Sequence, residues 1–138
     1  MAIDNIEKLL TTLMEADTTI EGLVGTRIFP MVVPQDTTMP CITYQKISGN
    51  WQVQISGPHN MSQERFQINC WATTYAGAKA LAEAVRAEFS GYDTGNASVS
   101  VHIITLENET DTINENADVR GSRRYGRMMD FLVWYKKL

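Results

Sequence analysis

The chain has few cysteines and histidines, from which disulfide frameworks and zinc sites are built, and it has no long apolar run. Only two of its 138 residues are cysteines, Cys41 and Cys70, which lie 29 positions apart and outside any CxxC pattern. No apolar run approaches the roughly 20 residues that a membrane span needs. The first residues, MAIDNIEKLL, lack the pattern of a signal peptide. We therefore expect a protein made in a reducing cytoplasm, with Cys70 a buried thiol, a disulfide unsupported, and no membrane contact.

The chain also lacks the motifs of common catalytic and metal sites. It contains no HExxH, GxSxG, P-loop or GxGxxG motif. His59 and His102 have no serine, cysteine or aspartate at motif spacing, so nothing indicates a nucleophile activated by a base. The acidic stretch 107–118 lacks the residue order of a calcium loop. We expect no catalytic residue, no metal and no cofactor, and hence a protein that is not an enzyme.

Charge of one sign is only mildly in excess. The net charge of −4 argues against a generic nucleic-acid binder, which is usually basic. One basic cluster follows the acidic stretch, and it admits two interpretations. It either contacts phosphate, for instance DNA in the lumen of a ring, or balances the acidic stretch within one subunit or across an interface. The cluster consists of Arg120, Arg123, Arg124 and Arg127.

The most informative segment is 65–89, where an alternating strand runs into an amphipathic helix. Phe66, Ile68 and Cys70 point to one side of the predicted strand, and the residues between them point to the other. Thr73 or Thr74 can cap the helix that follows, and Gly91 can end it. The apolar residues of that helix recur at helical spacing: Ala78, Leu81, Ala82, Val85 and Phe89.

The rest of the chain predicts short elements joined by polar loops. The pattern favours a helix over residues 4–16 and a short turn over 20–24. Strands are expected at 41–48, 51–55, 98–106 and 127–137. The segment 131–135 is apolar on both faces, which is typical of a central or interface strand. Mobile loops are expected around 30–40, 56–62 and 107–122.

These elements favour a single α+β domain over residues 1–138. The order is α-β-β-(β)-α-β-β, without a repeated strand–helix–strand unit. An antiparallel sheet of four to five strands with two helices packed on one face is the economical arrangement. The other face would keep apolar side chains uncovered, with Trp51, Trp71 and Trp134 helping to line it, and this favours oligomerisation.

Several segments, taken in order, resemble one protein family. The segments PQDTTMPCITYQKISG, SGP, ERFQINCWATTYAGAKALAEAVRAEF and YGRMMDFLVWY look like the tail completion or tail terminator family of long-tailed bacteriophages and prophages. The family's proline-flanked strand entry, ERxQIxxWA strand and YxxAxxLAxxVR helix correspond to Val32–Pro34 with Met39–Tyr44, to Glu64–Ala72 and to Tyr75–Arg86. The resemblance extends from residue 9 to about residue 135.

The resemblance implies a non-enzymatic part of a virion. Such proteins form rings, commonly hexamers, at the head-proximal end of the tail tube. The ring stops tube polymerisation and offers the surface that joins the tail to the head. The implied partners are further copies of the chain, the tail tube protein, and a connector or head-completion protein. DNA would pass through the lumen without sequence-specific binding.

Two sets of residues follow as candidate contacts. For the subunit interface we expect Trp71, Phe131, Val133, Trp134 and Tyr135. For contacts with a partner or the lumen we expect Arg120, Arg123, Arg124 and Arg127, together with Glu109 and Asp111. Other interpretations stay open: another neck component, such as a head-completion or adaptor protein, or a small α+β binding module.

Overall fold

The fold is that of a computed structural model, which describes residues 6–34, 36–52, 61–95, 99–114 and 124–137. Within these ranges the chain forms three helices and five strands. In chain order they are α1 (Ile6–Ala16), α2 (Thr18–Val24), β1 (Ile28–Pro30), β2 (Cys41–Gln52), β3 (Met61–Ala72), α3 (Tyr75–Phe89), β4 (Val99–Asn114) and β5 (Arg124–Lys137).

The five strands form one sheet in the order β1-β2-β3-β5-β4. The pairs β2–β3, β3–β5 and β5–β4 are antiparallel, as predicted. The prediction of a purely antiparallel sheet was wrong, because the short strand β1 pairs with β2 in parallel, with Phe29 opposite Thr43. The prediction that the 131–135 segment lies in a central strand is confirmed, because β5 is hydrogen-bonded on both sides.

The described residues contain one helix more than the sequence predicted. The segment expected as a turn at 20–24 belongs to α2, which begins directly after α1. The Asp17 side chain caps α2 by accepting hydrogen bonds from the Thr19 and Ile20 amides at 2.9 and 3.0 Å. Gly25, with a positive φ of 58°, ends the helix. Glycine at residue 22 lowers helix propensity, but the cap and the burial of Ile20 and Val24 outweigh it.

The strand and helix predicted over 65–89 are confirmed. Phe66, Ile68 and Cys70 are at most 1% exposed, and Cys70 is a free thiol. The cap of α3 is Thr74, whose hydroxyl accepts a hydrogen bond from the Gly77 amide at 3.0 Å. The five residues predicted for the apolar face of α3 are all buried: Ala78, Leu81, Ala82, Val85 and Phe89.

Two strands are longer than the sequence indicated. The break expected between the strands at 41–48 and 51–55 is absent, because β2 continues through it to Gln52 with a register shift between Lys46 and Ser48. The loop expected at 107–122 is strand as far as Asn114, paired with β5 down to Arg124. Threonines at 110 and 112 suit an edge strand of this kind. The remainder of that predicted loop, and residues 56–60 of the previous one, lie outside the described residues.

The core lies between the helices and one face of the sheet. A single cluster joins apolar residues of all three helices, such as Leu10, Ile20 and Leu81, to the sheet. The Phe89 and Phe131 rings meet edge to face with centroids 5.4 Å apart, an arrangement that adds about 0.5–1.5 kcal/mol to the burial of the rings. The helices therefore cover one face of the sheet, as predicted.

Candidate functional site

The two faces of the sheet differ in what covers them. On the helix face, side chains such as Phe66 and Met129 are buried in the core. On the opposite face, which we call the open face, the described part of the chain places no helix. Half-buried apolar side chains from β3 and β5 lie there beside polar ones. By register the open face includes Thr43 of β2, Arg65, Gln67, Asn69 and Trp71 of β3, Thr110 and Thr112 of β4, and Arg124, Gly126, Met128, Asp130, Leu132 and Trp134 of β5.

The predicted interface residues divide between the two faces. Trp71 and Trp134 lie on the open face and are half-buried. Phe131, Val133 and Tyr135 lie on the helix face, with exposures of 1%, 0% and 5%. These three side chains pack in the core of the same chain, so of the predicted interface residues only Trp71 and Trp134 present side chains on the open face. The Trp51 side chain lies outside the described part of the chain.

A cavity of about 300 Å³ opens beside Trp71, at the end of the sheet where β5 begins. Trp71 and Arg124 both line this cavity, although the sequence analysis placed Trp71 in the subunit interface and Arg124 among the contacts with a partner or the lumen. The Trp71 indole N–H donates to the Thr43 hydroxyl at 3.2 Å, and the Asn69 amide N–H donates to the same oxygen at 3.3 Å. The lining consists of Met31, Val32, Val33, Thr43, Asn69, Trp71 and Arg124.

One polar atom at this cavity is buried without a hydrogen bond. Asn69 is 8% exposed, and its side-chain oxygen has no hydrogen-bond partner among the described residues. Leaving such an atom unpaired costs roughly 1–3 kcal/mol. Arg124 lines the same cavity, so one site contains both a positive charge and a buried acceptor without a partner. An arrangement of this kind can hold a polar group that carries both a negative charge and a donor.

The rim of the cavity is apolar and exposed. Met31 and Val32 are 63% and 70% exposed. Met31 has a positive φ of 69°, a conformation that is uncommon for a residue with a side chain. Backbone strain of this kind persists only where the surroundings hold it, and here the Met31 amide donates to the Tyr44 carbonyl at 2.9 Å. The rim is thus a loop whose backbone is fixed by a hydrogen bond to β2 and whose apolar side chains are exposed to solvent.

Arg127 lies on the helix face and pairs with the acidic residues of β4. Its Nε donates to Asp111 Oδ1 at 2.7 Å, and its Nη1 lies 3.5 Å from Glu109 Oε2. Arg86 of α3 lies 3.6 Å from the other Glu109 oxygen. The Tyr75 hydroxyl accepts from Arg127 and donates to Asp111, both at 3.0 Å. This network therefore ties the start of α3 to β4 and β5.

The network also explains the shifted ionisation of its members. The hydrogen bond from Arg127 holds the pKa of Asp111 below its ordinary value. The same hydrogen bond raises the pKa of Arg127. Of the two interpretations of the basic cluster, balance of the acidic stretch within one subunit therefore applies to Arg127, Glu109 and Asp111.

The rest of the basic cluster is separated from Arg127. Arg124 lies on the open face, three residues before Arg127 and on the opposite side of the strand. Arg120 and Arg123 lie outside the described residues. The sequence missed Asn69, Thr43 and Met31 as parts of a site. The alternation of β3 places Asn69 on the face of Trp71, but no sequence pattern indicated the loop that folds beside them.

The described ranges lack two further features. No group of three or more histidine, cysteine, aspartate or glutamate side chains there is placed to hold a metal ion. No helix in those ranges is both long and apolar enough to cross a membrane.

Comparison with known proteins connects this fold to a family. The sequence profile of the family described as Tail completion protein gp17 matches residues 8–135. No curated protein sequence matches the chain. Among solved structures, a chain of the structure titled "Virion of native gene transfer agent (GTA) particle" superposes with a TM-score of 0.62 and 21% identity. The match covers 93% of this chain and 90% of that one; at this identity, the likeness shows the fold.

The family match spans nearly the whole chain, from the first turn of α1 to residue 135 in β5, and so includes the helix face, the open face and the cavity beside Trp71. The chain therefore belongs to the Tail completion protein gp17 family and is a structural protein of a bacteriophage-type virion tail.

Proposed function

We propose that this protein closes the head-proximal end of the tail tube as a ring of its own copies, six in number. The ring ends tube polymerisation and provides the surface on which the head is joined. One observation in particular supports the proposal: the sheet has an open face with half-buried tryptophans in a chain that belongs to a tail completion family. The open face provides a surface for assembly, and the proposal assigns no catalytic residue.

The open face suits a contact with another protein chain. Trp71 and Trp134 present large aromatic surfaces, and tryptophan is among the residues that dominate binding energy at interfaces. Leu132 and Met128 lie between them on the same strand face and are also half-buried. Covering such side chains removes apolar area from water at about 25 cal/mol per Å².

The cavity beside Trp71 suits a polar anchor from a different partner. Arg124 and the unpaired Asn69 oxygen would receive a side chain of the tail tube protein or of the connector, while Met31 and Val32 cover its apolar part. Docking would then use the cavity while ring formation uses other surface of the chain, which is what a part that meets its own copies and another ring needs.

The lumen of the proposed ring would let DNA pass without binding it by sequence. The chain as a whole carries a net charge of −4, which disfavours tight, non-specific attachment to phosphate. Arg120 and Arg123 are the residues proposed to meet the lumen or a neighbouring ring.

The experiment that tests the proposal measures assembly directly. Light scattering across concentration gives the absolute mass of the protein alone and after addition of purified tail tubes, and negative-stain images show where it binds. We expect a ring of six chains at one end of each tube. The variant Arg124→Gln should form the ring but bind tubes less tightly, whereas Arg65→Gln, a half-buried arginine elsewhere on the open face, should bind normally.

The outcomes separate the proposal from its competitors. Binding to filled heads without binding to tubes would favour a head-completion or adaptor protein. A chain that stays a monomer with both tubes and heads would contradict ring formation altogether. Tubes that continue to grow past the bound protein would contradict the terminating role.

A further inference from the structure

The two edges of the sheet each leave a length of backbone without a strand partner. On β4, residues 91–95 cover only the first part of the outer edge: the Val101 and Ile104 amides donate to the Thr94 and Tyr92 carbonyls. Beyond residue 104, no described residue pairs with the outer edge of β4. We call residues 105–114 the β4 free segment.

The opposite edge has the same feature. Strand β1 pairs with β2 only at residues 42–44, and the last contact is the hydrogen bond from the Met31 amide to the Tyr44 carbonyl. Residues 45–52, which we call the β2 free segment, have no partner on that side among the described residues. The part at 46–49 is exposed, including the Ile47 side chain at 44%. Unpaired edges of this kind are templates for the strand of another chain.

The hydrogen-bond pattern tells which amides are available. The Ile104 N–H and C=O point away from β5, towards the outer edge of the sheet. In an antiparallel ladder this direction alternates from residue to residue, and the register shift after Leu106 inserts one extra residue. The amides of Glu109, Asp111 and Ile113 therefore also point to the outer edge. By the same alternation, the Ile42 amide donates outward to Arg27, so Lys46 and Gly49 are directed outward on β2.

We propose that the ring forms by edge pairing, with the β4 free segment of one copy bound antiparallel to the β2 free segment of the next. This inference rests on the proposed function, because it takes a closed ring as given. Strand β4 runs antiparallel to β5, and β2 runs antiparallel to β3, so adding β2 of a second copy after β4 continues the alternation of the sheet. The contact is heterologous, as a ring requires.

The faces agree as well as the directions. The outward-directed residues of β4 pair in register with Met129, Arg127 and Tyr125, and those of β2 with Phe66 and Glu64, all of the helix face. Residues that exchange hydrogen bonds across an antiparallel pair lie on the same face. The helices of every copy would therefore lie on one side of the continuous sheet, and every open face on the other.

Charge selects β2 of the next copy over a second β4. The β4 free segment contains three carboxylates, Glu107, Glu109 and Asp111, and no cation. Pairing it with itself would bring like charges together, which is destabilising across strands. The β2 free segment contains one cation, Lys46, and no carboxylate. Lys46, whose ammonium lies 3.0 Å from Glu64 Oε1 of the same chain and whose side chain is 44% exposed, lies on the helix face, as do Glu109 and Asp111.

The two free segments lie at opposite ends of the sheet. The β2 free segment ends beside Met61, whose partner is Lys136, while the β4 free segment ends beside Arg124. Each copy would therefore be displaced along the strand direction relative to the one before. A regular displacement between strands, together with their tilt, is what the closure of a sheet into a barrel requires.

Proline variants test the pairing, because proline removes an amide donor. Ile113→Pro blocks the β4 edge and Gly49→Pro blocks the β2 edge, and neither removes a hydrogen bond within the chain. Each variant alone should remain a monomer under conditions where the wild-type chain forms rings, alone or on tail tubes. An equal mixture should stop at the dimer, because only one pair of intact edges remains. A dimer of Gly49→Pro alone would instead indicate β4–β4 pairing and overturn the proposal.

Hydrogen exchange on the wild-type chain needs no variant and covers the case in which a proline prevents folding. On ring formation, the amides of Glu109, Asp111, Ile113 and Gly49 should become protected. The amides of Val101 and Ile104, which already have partners, should not change. Rings that form without this protection, or from well-folded proline variants, would overturn edge pairing and leave the ring itself intact. A wild-type chain that forms no ring even on tubes would overturn the proposed function as well.

Discussion

The Trp71 ring lies directly over Gly126, the residue opposite it on β5. A Cβ atom at residue 126 would stand 2.7 Å from Trp71 Cζ3 and 2.9 Å from the Thr112 methyl group, closer than such atoms approach. Glycine at this position thus leaves room for the six-membered ring of the indole. From there its N–H reaches the Thr43 hydroxyl, so one missing side chain positions a wall of the cavity.

The variant Gly126→Ala should therefore displace Trp71. The overlap has to be relieved by movement of the indole or of the strand, and overpacking of this kind costs roughly 1–3 kcal/mol of the free energy of unfolding. Urea denaturation followed by tryptophan fluorescence measures both the stability and the change at Trp71.

Gly22→Ala is the matched control. Residue 22 lies in α2, and a Cβ there meets nothing within 4 Å. Alanine in a helix is more favourable than glycine by about 0.5–1 kcal/mol, so this variant should be slightly more stable than the wild-type chain. A Gly126→Ala variant as stable as Gly22→Ala would show that Trp71 does not rest on residue 126.

Trp134→Ala should weaken the contact that the open face makes with a neighbouring chain, while the single chain stays folded. Trp134 is half-buried on the open face, and truncating a tryptophan at the centre of an interface commonly costs 2 kcal/mol or more, which is more than tenfold in affinity. Light scattering across concentration measures the shift in the assembly midpoint.

Two substitutions make that result specific. Leu23→Ala removes an exposed apolar side chain of α2, 36% exposed, and should leave the assembly midpoint unchanged. Phe131→Ala empties the core beside Phe89 and should cost about 3–5 kcal/mol of the free energy of unfolding. If Trp134→Ala assembles like Leu23→Ala, the open face around Trp134 makes no contact with a neighbouring chain.

The contrast between Trp134 and Phe131 also shows what could be predicted from the sequence. Strict alternation identified the strand at 65–71, and helical spacing identified the buried face of α3, because both follow from local geometry. The segment 131–135 is apolar at every position, so its sequence could not tell which residues face the helices. Only the register against β3 decides that Phe131 lies opposite Phe66 in the core.

Longer-range relationships were less accessible from sequence. The acidic stretch at 107–114 looked like a loop because its carboxylates have no apolar alternation, yet Arg127 and Arg86 neutralise two of them and allow a strand. The cavity beside Trp71 depends on a loop from β1 to β2, whose path is set by Met31 at positive φ. Neither relationship is encoded in the residues adjacent in sequence.

The Arg127–Asp111 pair should give the chain a pH-dependent contribution to stability. The pKa of Asp111 is lower in the folded chain, chiefly because of the hydrogen bond from Arg127. The contribution is therefore fully present above the unfolded pKa of about 4, and it is lost as the pH falls through the lower folded pKa. Asp111→Asn should be less stable than the wild-type chain at pH 6, and the difference should shrink below pH 4.

Urea denaturation at a series of pH values measures that difference for the dilute, monomeric chain. Asp93→Asn is the control, since Asp93 is an exposed carboxylate that accepts only a 3.5 Å hydrogen bond from its neighbour Thr94. The Asp93 variant should follow the wild-type curve throughout. A constant difference between Asp111→Asn and wild type down to pH 2 would mean that the charge of Asp111 does not carry the effect.

The two thiols should be inert in the folded chain, although they lie only one position apart in the register of β2 and β3. Cys41 and Cys70 are fully buried on opposite faces of the sheet. Burial raises the pKa of Cys41 to about 11 and also raises that of Cys70, so neither is a thiolate near pH 8.

A thiol-reactive chromogenic disulfide should therefore label no thiol in the native chain at pH 8 and two per chain in denaturant. Ile113→Cys, at a position 50% exposed, is the positive control and should add one thiol that reacts at once. Rapid labelling of native wild-type protein would mean that the strand pair β2–β3, and with it the cavity wall formed by Thr43 and Asn69, opens readily.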